Sequence, residues 1–373
     1  MQSPAPVDFN GAQRNVASPR PRTIPDHELI RCIGQGSYGE VWLAKSIMGS
    51  YRAIKFVDRK NFKEERPFQR ELEGIQKFEP ISRSHEGLID VLHVGINPQE
   101  GYFYYVMELG DDQRTAQHIV PESYCPKTLA TELSSRSRLT AAECLKIGLA
   151  LAQALEHLHA HHLVHRDIKP SNIIFVNGVP KLADIGLVMD IGGARSYVGT
   201  EGFIPPEGPG TTGADIYSLG KVLYELCTGK DRHQFPELPK DLEAFPDASE
   251  VFELNEVIIK ACHGDPARRY LSARDLHADL VLLQNGKSVH RLRVLEERFG
   301  QFKKIGAFIF IAGLIAGLLH LETSRKRREA ADFRQRQVGA QLAFGTQALE
   351  TGDYAGAVNY FVEALHLDQD NRA

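Results

Sequence analysis

The run His165-Arg166-Asp167-Ile168-Lys169-Pro170-Ser171-Asn172, followed a short hairpin later by Asp184-Ile185-Gly186, constrains this chain more than any other feature. It sets a proton acceptor, a cation and two metal-binding side chains within one short span. Such a loop needs a rigid support. Upstream, Leu145, Leu149, Ala152, Leu155 and Leu158 recur at three- and four-residue intervals, which predicts a buried helix that delivers the loop.

A second motif lies near the start. Gly34-Gln35-Gly36-Ser37-Tyr38-Gly39-Glu40-Val41 carries glycines where bare backbone can approach phosphate oxygens with no Cβ between. A dinucleotide-binding turn is the rival reading, and it should open a helix. Here the glycines run into Val41-Trp-Leu-Ala and, after a polar turn, into Tyr51-Arg-Ala-Ile-Lys55-Phe-Val, two extended apolar runs. They predict a β-hairpin covering phosphates. Next, Phe68, Leu72 and Ile75 share one helical face, and Glu71 lies among them.

Taken in order from about Ile30 to Leu283, these motifs resemble the eukaryotic-type (bacterial Hanks-type) Ser/Thr protein kinase family. The resemblance implies an α+β, bilobal protein-kinase-like fold over residues 26–285, with a β-rich N-lobe to about 108 and a helical C-lobe beyond. It implies ATP and Mg²⁺ as cofactors and a protein Ser/Thr hydroxyl as acceptor. ATP would be held by Gly34, Gln35, Gly36, Gly39, Val41 and Ala53, and by Lys55 on the α- and β-phosphates, paired with Glu71. Met107 would back the adenine pocket, with Glu108, Leu109 and Gly110 as the hinge. Asp167 resembles the catalytic-loop base, Lys169 would neutralise charge on the moving phosphoryl group, and Asn172 and Asp184 would hold the metal. His165 is expected to pack and brace.

Gly199-Thr200-Glu-Gly202-Phe-Ile-Pro205-Pro206-Glu207 resembles the family's substrate-positioning loop, and Thr200 with Lys169 favours Ser/Thr over Tyr. Glu207 would pair with Arg269, and Asp215 would brace the catalytic loop from below; these are structural roles. Ile185 stands where the family usually has Phe, altering the packing that separates active from inactive conformations. Arg166 suits a phosphate on Ser196, Tyr197 or Thr200. Residues 111–127, longer and more polar than the family minimum, form an inserted loop. A pseudokinase scaffold is the alternative reading, opposed by the presence of Lys55, Asp167, Asn172 and Asp184.

Lys+Arg 44 against Asp+Glu 48 leaves no field for bulk nucleic-acid binding. Five cysteines without a C-x-x-C pair suit a reducing compartment and read as packing residues. Residues 1–25, rich in Pro, Ser, Asn and Arg, read as a disordered leader, which leaves the kinase-like part cytoplasmic. A basic linker (286–304) precedes Ile305–Leu321, an uncharged run flanked by Lys303-Lys304 and Arg325-Lys-Arg-Arg328, which predicts a single membrane helix in contact with lipid. Gly313 and Gly317 form a G-x-x-x-G face suited to a homodimer. A second basic linker (322–340) leads to residues 341–373, which resemble one tetratricopeptide repeat. A lone repeat cannot bury its own face, so it is expected to dock elsewhere, to pair with another chain, or to belong to a chain truncated from a longer one, the last being the favoured reading.

Overall fold

A computed structural model describes residues 22–36, 39–184, 189–190 and 199–369 of the chain. It divides into two compact units, Met1–Arg291 and Leu292–Ala373.

The first unit opens with a five-stranded antiparallel sheet, β1 (His27–Gln35), β2 (Gly39–Ser46), β3 (Tyr51–Asp58), β4 (Val91–Asn97) and β5 (Tyr102–Met107), in the order β1-β2-β3-β5-β4. Alternation along β3 sends Ile54 and Phe56 to one face, where they pack with Tyr102, Tyr104 and Val106. Ala53, Lys55 and Val57 therefore turn to the other, opposite Met107, Tyr105 and Phe103 of β5. This two-residue period aims a lysine inward from an otherwise apolar strand. At the start of β2 a Cβ on Gly39 would lie 1.8 Å from the Phe56 carbonyl oxygen, so only glycine lets the hairpin fold this tightly. Helix α1 (Glu65–Ser82) crosses the sheet and buries Glu71, Ile75 and Phe78.

Beyond the sheet the unit is mainly helical, with α2 (Leu129–Ser135), α3 (Ala141–Ala160), α4 (Thr212–Thr228), α5 (Ala248–Ala261) and α6 (Ala273–Gln284). Between α3 and α4 lie the short β6 (Leu163–Val164), paired with β9 (Met189–Asp190), and the hairpin of β7 (Ile173–Val176) and β8 (Val179–Leu182). Helix α3 is the support that the apolar spacing predicts. Thr140 and Glu143 cap its start reciprocally, and Leu149, Ala152, Leu155 and Leu158 are buried along it. Leu145 is only half-buried, because Cys144 takes the inward position at that turn. All five cysteines are free. Cys144, Cys227 and Cys262 are packing residues, whereas Cys32 and Cys125 are exposed.

Arg269 ties the far end of this helical region together. Its side chain is fully buried, and its guanidinium forks onto both carboxylate oxygens of Glu207 while Nε donates to the His263 carbonyl at 2.6 Å.

The chain continues as α7 (Val289–Glu350), a helix of 62 residues. Among the described residues, its segment Phe308–Glu350 is long and apolar enough to cross a membrane, and the apolar window is uncovered by protein. A turn at Thr351–Asp353, with Gly352 at φ 85°, leads to α8 (Tyr354–Gln369). Phe344 meets Tyr360 with ring centroids 5.9 Å apart, and Ala357 and Ala364 are buried. Of the leader expected over 1–25, residues 1–21 lie outside the described residues.

Replacing Arg269 by Ala removes a buried guanidinium, leaves the Glu207 carboxylate without its fork and takes a donor from three backbone carbonyls, so the first unit should lose about 2 kcal/mol of stability. Arg269→Lys should recover less than half of it, since an ammonium cannot fork. Chemical unfolding of the detergent-solubilised chain measures both. A loss below about 1 kcal/mol would mean that water replaces the guanidinium at little cost.

Candidate functional site

The sheet and the helical region meet around a cavity of about 710 Å³, a size suited to a nucleotide-sized ligand. Every residue that the resemblance assigns to ATP, to metal, to catalysis and to substrate positioning, from Gly34 to Thr200, lines it. Glu207, Asp215 and Arg269, assigned to the scaffold, lie outside the lining. The glycines sit at the β1–β2 turn, with Gly34 opposite Val41, so they belong to a hairpin and not to a helix start.

The floor is built from the backbone up. Asp215, in the first turn of α4, is 1% exposed. Its Oδ2 accepts the His165 N–H at 2.8 Å and the His159 ring Nε2 at 2.9 Å, and its Oδ1 accepts the Arg166 N–H at 2.8 Å. Burial would raise its carboxyl, but the His159 bond and the neighbouring positive groups hold it below the usual range. Arg166 itself lies at φ 72°, a left-handed conformation that an isolated arginine avoids. His165 braces, as expected: it is 1% exposed and its Nε2 donates to the Ala183 carbonyl at 3.0 Å, tying the loop to the residue before Asp184.

Asp167 follows directly. Its Oδ2 accepts from Asn172 Nδ2 at 2.8 Å and from Lys169 Nζ at 2.8 Å, and its Oδ1 accepts the Thr200 hydroxyl at 3.0 Å. Lys169 also donates to Thr200 Oγ1 at 2.8 Å. Base, cation and threonine thus form one closed triangle. Because Asn172 spends its amide on Asp167, its Oδ1 is left as the oxygen for a cation.

Across the cavity Lys55 Nζ stands 2.5 Å from Asp184 Oδ1. This differs from the expected Lys55–Glu71 pair. Among the described residues Glu71 has no ion pair, and its buried Oε1 accepts no hydrogen bond. Burial pushes its carboxyl up to about 7, only partly offset by Lys55. Lys55 is raised, since Asp184, Tyr105 and Glu71 outweigh the desolvation that opposes its charge, and Asp184 is lowered, chiefly by Lys55. Asp184 lies at φ 56°. Ile185, Ser196 and Tyr197 lie outside the described residues.

At the hinge, the Glu108 carboxylate accepts from the Asp90 N–H at 2.8 Å and from Lys181 Nζ at 2.6 Å. The sequence reading did not name Lys181. It also missed Tyr124 and Pro126, which come from the inserted loop and line the cavity. The available signal was an aromatic and a proline in a polar insertion directly after the hinge.

The donor set suits a magnesium–nucleotide. Among the described residues no group of three His, Cys, Asp or Glu could hold a metal alone. Asn172 and Asp184 offer two oxygens beside a cavity large enough for a triphosphate, which is how Mg²⁺ is commonly held.

Comparison with known proteins agrees with this geometry. The chain is similar to the "Probable serine/threonine-protein kinase CPE1738" of Clostridium perfringens, 28% identical over 309 residues, which is 75% of this chain and 41% of that protein. It is 29% identical over 280 residues to the serine/threonine-protein kinase PrkC of Bacillus subtilis, covering 68% of this chain and 40% of PrkC. With the serine/threonine-protein kinase AfsK of Streptomyces griseus it shares 28% over 286 residues, 70% of this chain and 32% of AfsK. The chain therefore spans less than half the length of these curated relatives. The family profile of the protein kinase domain matches residues 27–273, and the chain belongs to the protein kinase family.

Proposed function

We propose that the chain is an ATP- and Mg²⁺-dependent protein serine/threonine kinase. The observation that carries this reading is the Asp167–Lys169–Thr200 triangle facing Lys55 and Asp184 across one cavity. Asp167 orients the acceptor hydroxyl and takes its proton as the oxygen–phosphorus bond forms and the β,γ-bridging bond breaks, releasing ADP. Lys169 balances charge on the transferred group. Lys55 holds the α- and β-phosphates, and the glycine hairpin covers them. Asn172 and Asp184 would hold Mg²⁺, which would neutralise phosphate charge when bound. The relatives described above are named as serine/threonine-protein kinases, which supports the acceptor class. A pseudokinase scaffold has no use for a base, a cation and two metal oxygens all open to the same cavity.

The proposed layout is a kinase domain over 26–285, a basic linker, a membrane helix at 305–321, a second basic linker and a tetratricopeptide-like segment at 341–373. Uncovered side chains along this stretch, Phe308 and Phe310 each 73% exposed, support lipid contact. Open space beside Gly313 and Gly317 supports close approach of a second copy. The Phe344–Tyr360 contact supports the repeat reading.

With labelled ATP, Mg²⁺ and a basic acceptor protein, the full chain should place phosphate on Ser or Thr. Asp167→Ala should cut the rate about 10² to 10⁴-fold, and chelation of Mg²⁺ should remove it. Asp184→Ala should be inactive yet melt within a few degrees of wild type. Labelling that survives in both variants would reject the assignment.

Pairing Lys55 with Glu71 on nucleotide binding requires Glu71 to be ionised, whereas in the free protein its carboxyl stands near 7. Binding therefore releases a proton. ATP affinity should rise with pH up to about 7 and level off above it, where Glu71 is already ionised. Titrations from acid to alkaline pH should lose this dependence in Glu71→Gln, which also corrects for titration of ATP itself.

On fractionation the intact chain should require detergent, and a chain lacking 305–321 should not. Recovery of the intact chain in the soluble fraction would remove the membrane assignment.

A further inference from the structure

The loop at 111–127 is more ordered than its polar composition suggests. Asp111 anchors it to the β7–β8 turn: its carboxylate accepts the N–H groups of Asn177 and Gly178 at 2.9 and 2.8 Å, and its own N–H donates to Phe175 at 2.7 Å. Asp112 then organises the interior. One oxygen takes the N–H groups of Arg114 and Thr115, and the other takes that of Cys125 at 2.8 Å. Burial opposes the charge, yet these bonds hold its carboxyl down at about 2. Tyr124, buried, donates its hydroxyl to the Gly110 carbonyl at 3.0 Å, and with Pro126 it forms part of the cavity wall.

Arg31 of the opposite lobe reaches this loop with its side chain. Arg31 lies on β1, three residues before Gly34, and its Nε donates to the Pro121 carbonyl at 2.7 Å. Its Nη2 donates to the Tyr124 carbonyl. The glycine-rich strand is thus joined across the cavity edge to a loop founded on the helical lobe.

We infer that residues 111–127 are a strap that retains the nucleotide, with Arg31 as the positioning residue that holds the glycine-rich strand down on it. This rests on the nucleotide reading above. Opening of the cavity requires β1 to part from the strap, so two charge-assisted bonds must break before the ligand leaves. The insertion thereby sets the residence time of ATP and ADP without touching the transferred group.

The test uses the full chain in detergent and a fluorescent N-methylanthraniloyl derivative of ATP with Mg²⁺. Arg31→Ala should release this probe about tenfold faster and raise KM for ATP similarly, with kcat not lowered. Arg31→Lys should restore part of the retention, because one ammonium cannot serve both carbonyls as the fork does. Asp112→Ala, which dismantles the strap from within, should speed release to the same extent. The double variant should be no worse than either single change, as for two parts of one device. Equal release rates and KM in wild type and Arg31→Ala, with the probe bound by both, would overturn the strap alone. A fall in kcat at unchanged KM would overturn it too, since that pattern reports a smaller folded fraction. Failure of the wild type to bind the probe, or of unlabelled ATP to displace it, would overturn the nucleotide reading and the strap with it.

Discussion

One buried carboxylate underlies the chemistry of this protein. Asp215 projects from the first turn of α4 into a place where no water reaches it, and it is stable there because donors on two elements converge on it. Two of those donors are consecutive backbone N–H groups of the loop that carries Asp167. Directly after them Arg166 takes a left-handed conformation, and the turn made there sets the direction in which the next residue, Asp167, leaves the brace. The brace extends further, because the His165 ring reaches the carbonyl of Ala183 and so positions the approach to Asp184.

Charge in the cavity is arranged in exchangeable pairs. Lys55 faces Asp184, Lys169 faces Asp167, and at the hinge Lys181 faces Glu108. Unpaired charges would be costly in such a recess. A magnesium–triphosphate carries both signs, so it can take one partner from the Lys55–Asp184 pair for each that it supplies. Glu71 is the exception: among the described residues it makes no ion pair and its buried Oε1 accepts no hydrogen bond, and burial favours its neutral form.

Much of this was legible in the sequence, for reasons that differ by residue. The glycine hairpin could be told from a dinucleotide turn because the following runs were extended. The catalytic span was readable because its chemistry is concentrated in eight consecutive residues. Scaffold residues such as Asp215 and Arg269 were legible only through the family resemblance, since nothing local distinguishes a bracing aspartate from a surface one. Lys55 was expected beside Glu71, yet the nearer carboxylate of Asp184 takes it. Lys181 and Arg31 escaped notice because their partners are 73 and 90 residues away and, for Arg31, are main-chain carbonyls with no side-chain signature. The insertion read as polar and purposeless because its order comes from a carboxylate bonding to its own backbone, which composition does not reveal.

The triangle at Asp167 has a consequence for stereochemistry. A carboxylate offers about four lone-pair directions. Among the described residues, Asn172 and Lys169 fill the two on Oδ2, and Thr200 fills one on Oδ1. A visiting hydroxyl is therefore left a single vacant direction, on the oxygen it shares with a threonine of the chain itself. On the proposed reading, the angle at which an acceptor would meet the phosphorus is dictated less by the aspartate than by the three donors that have already claimed it.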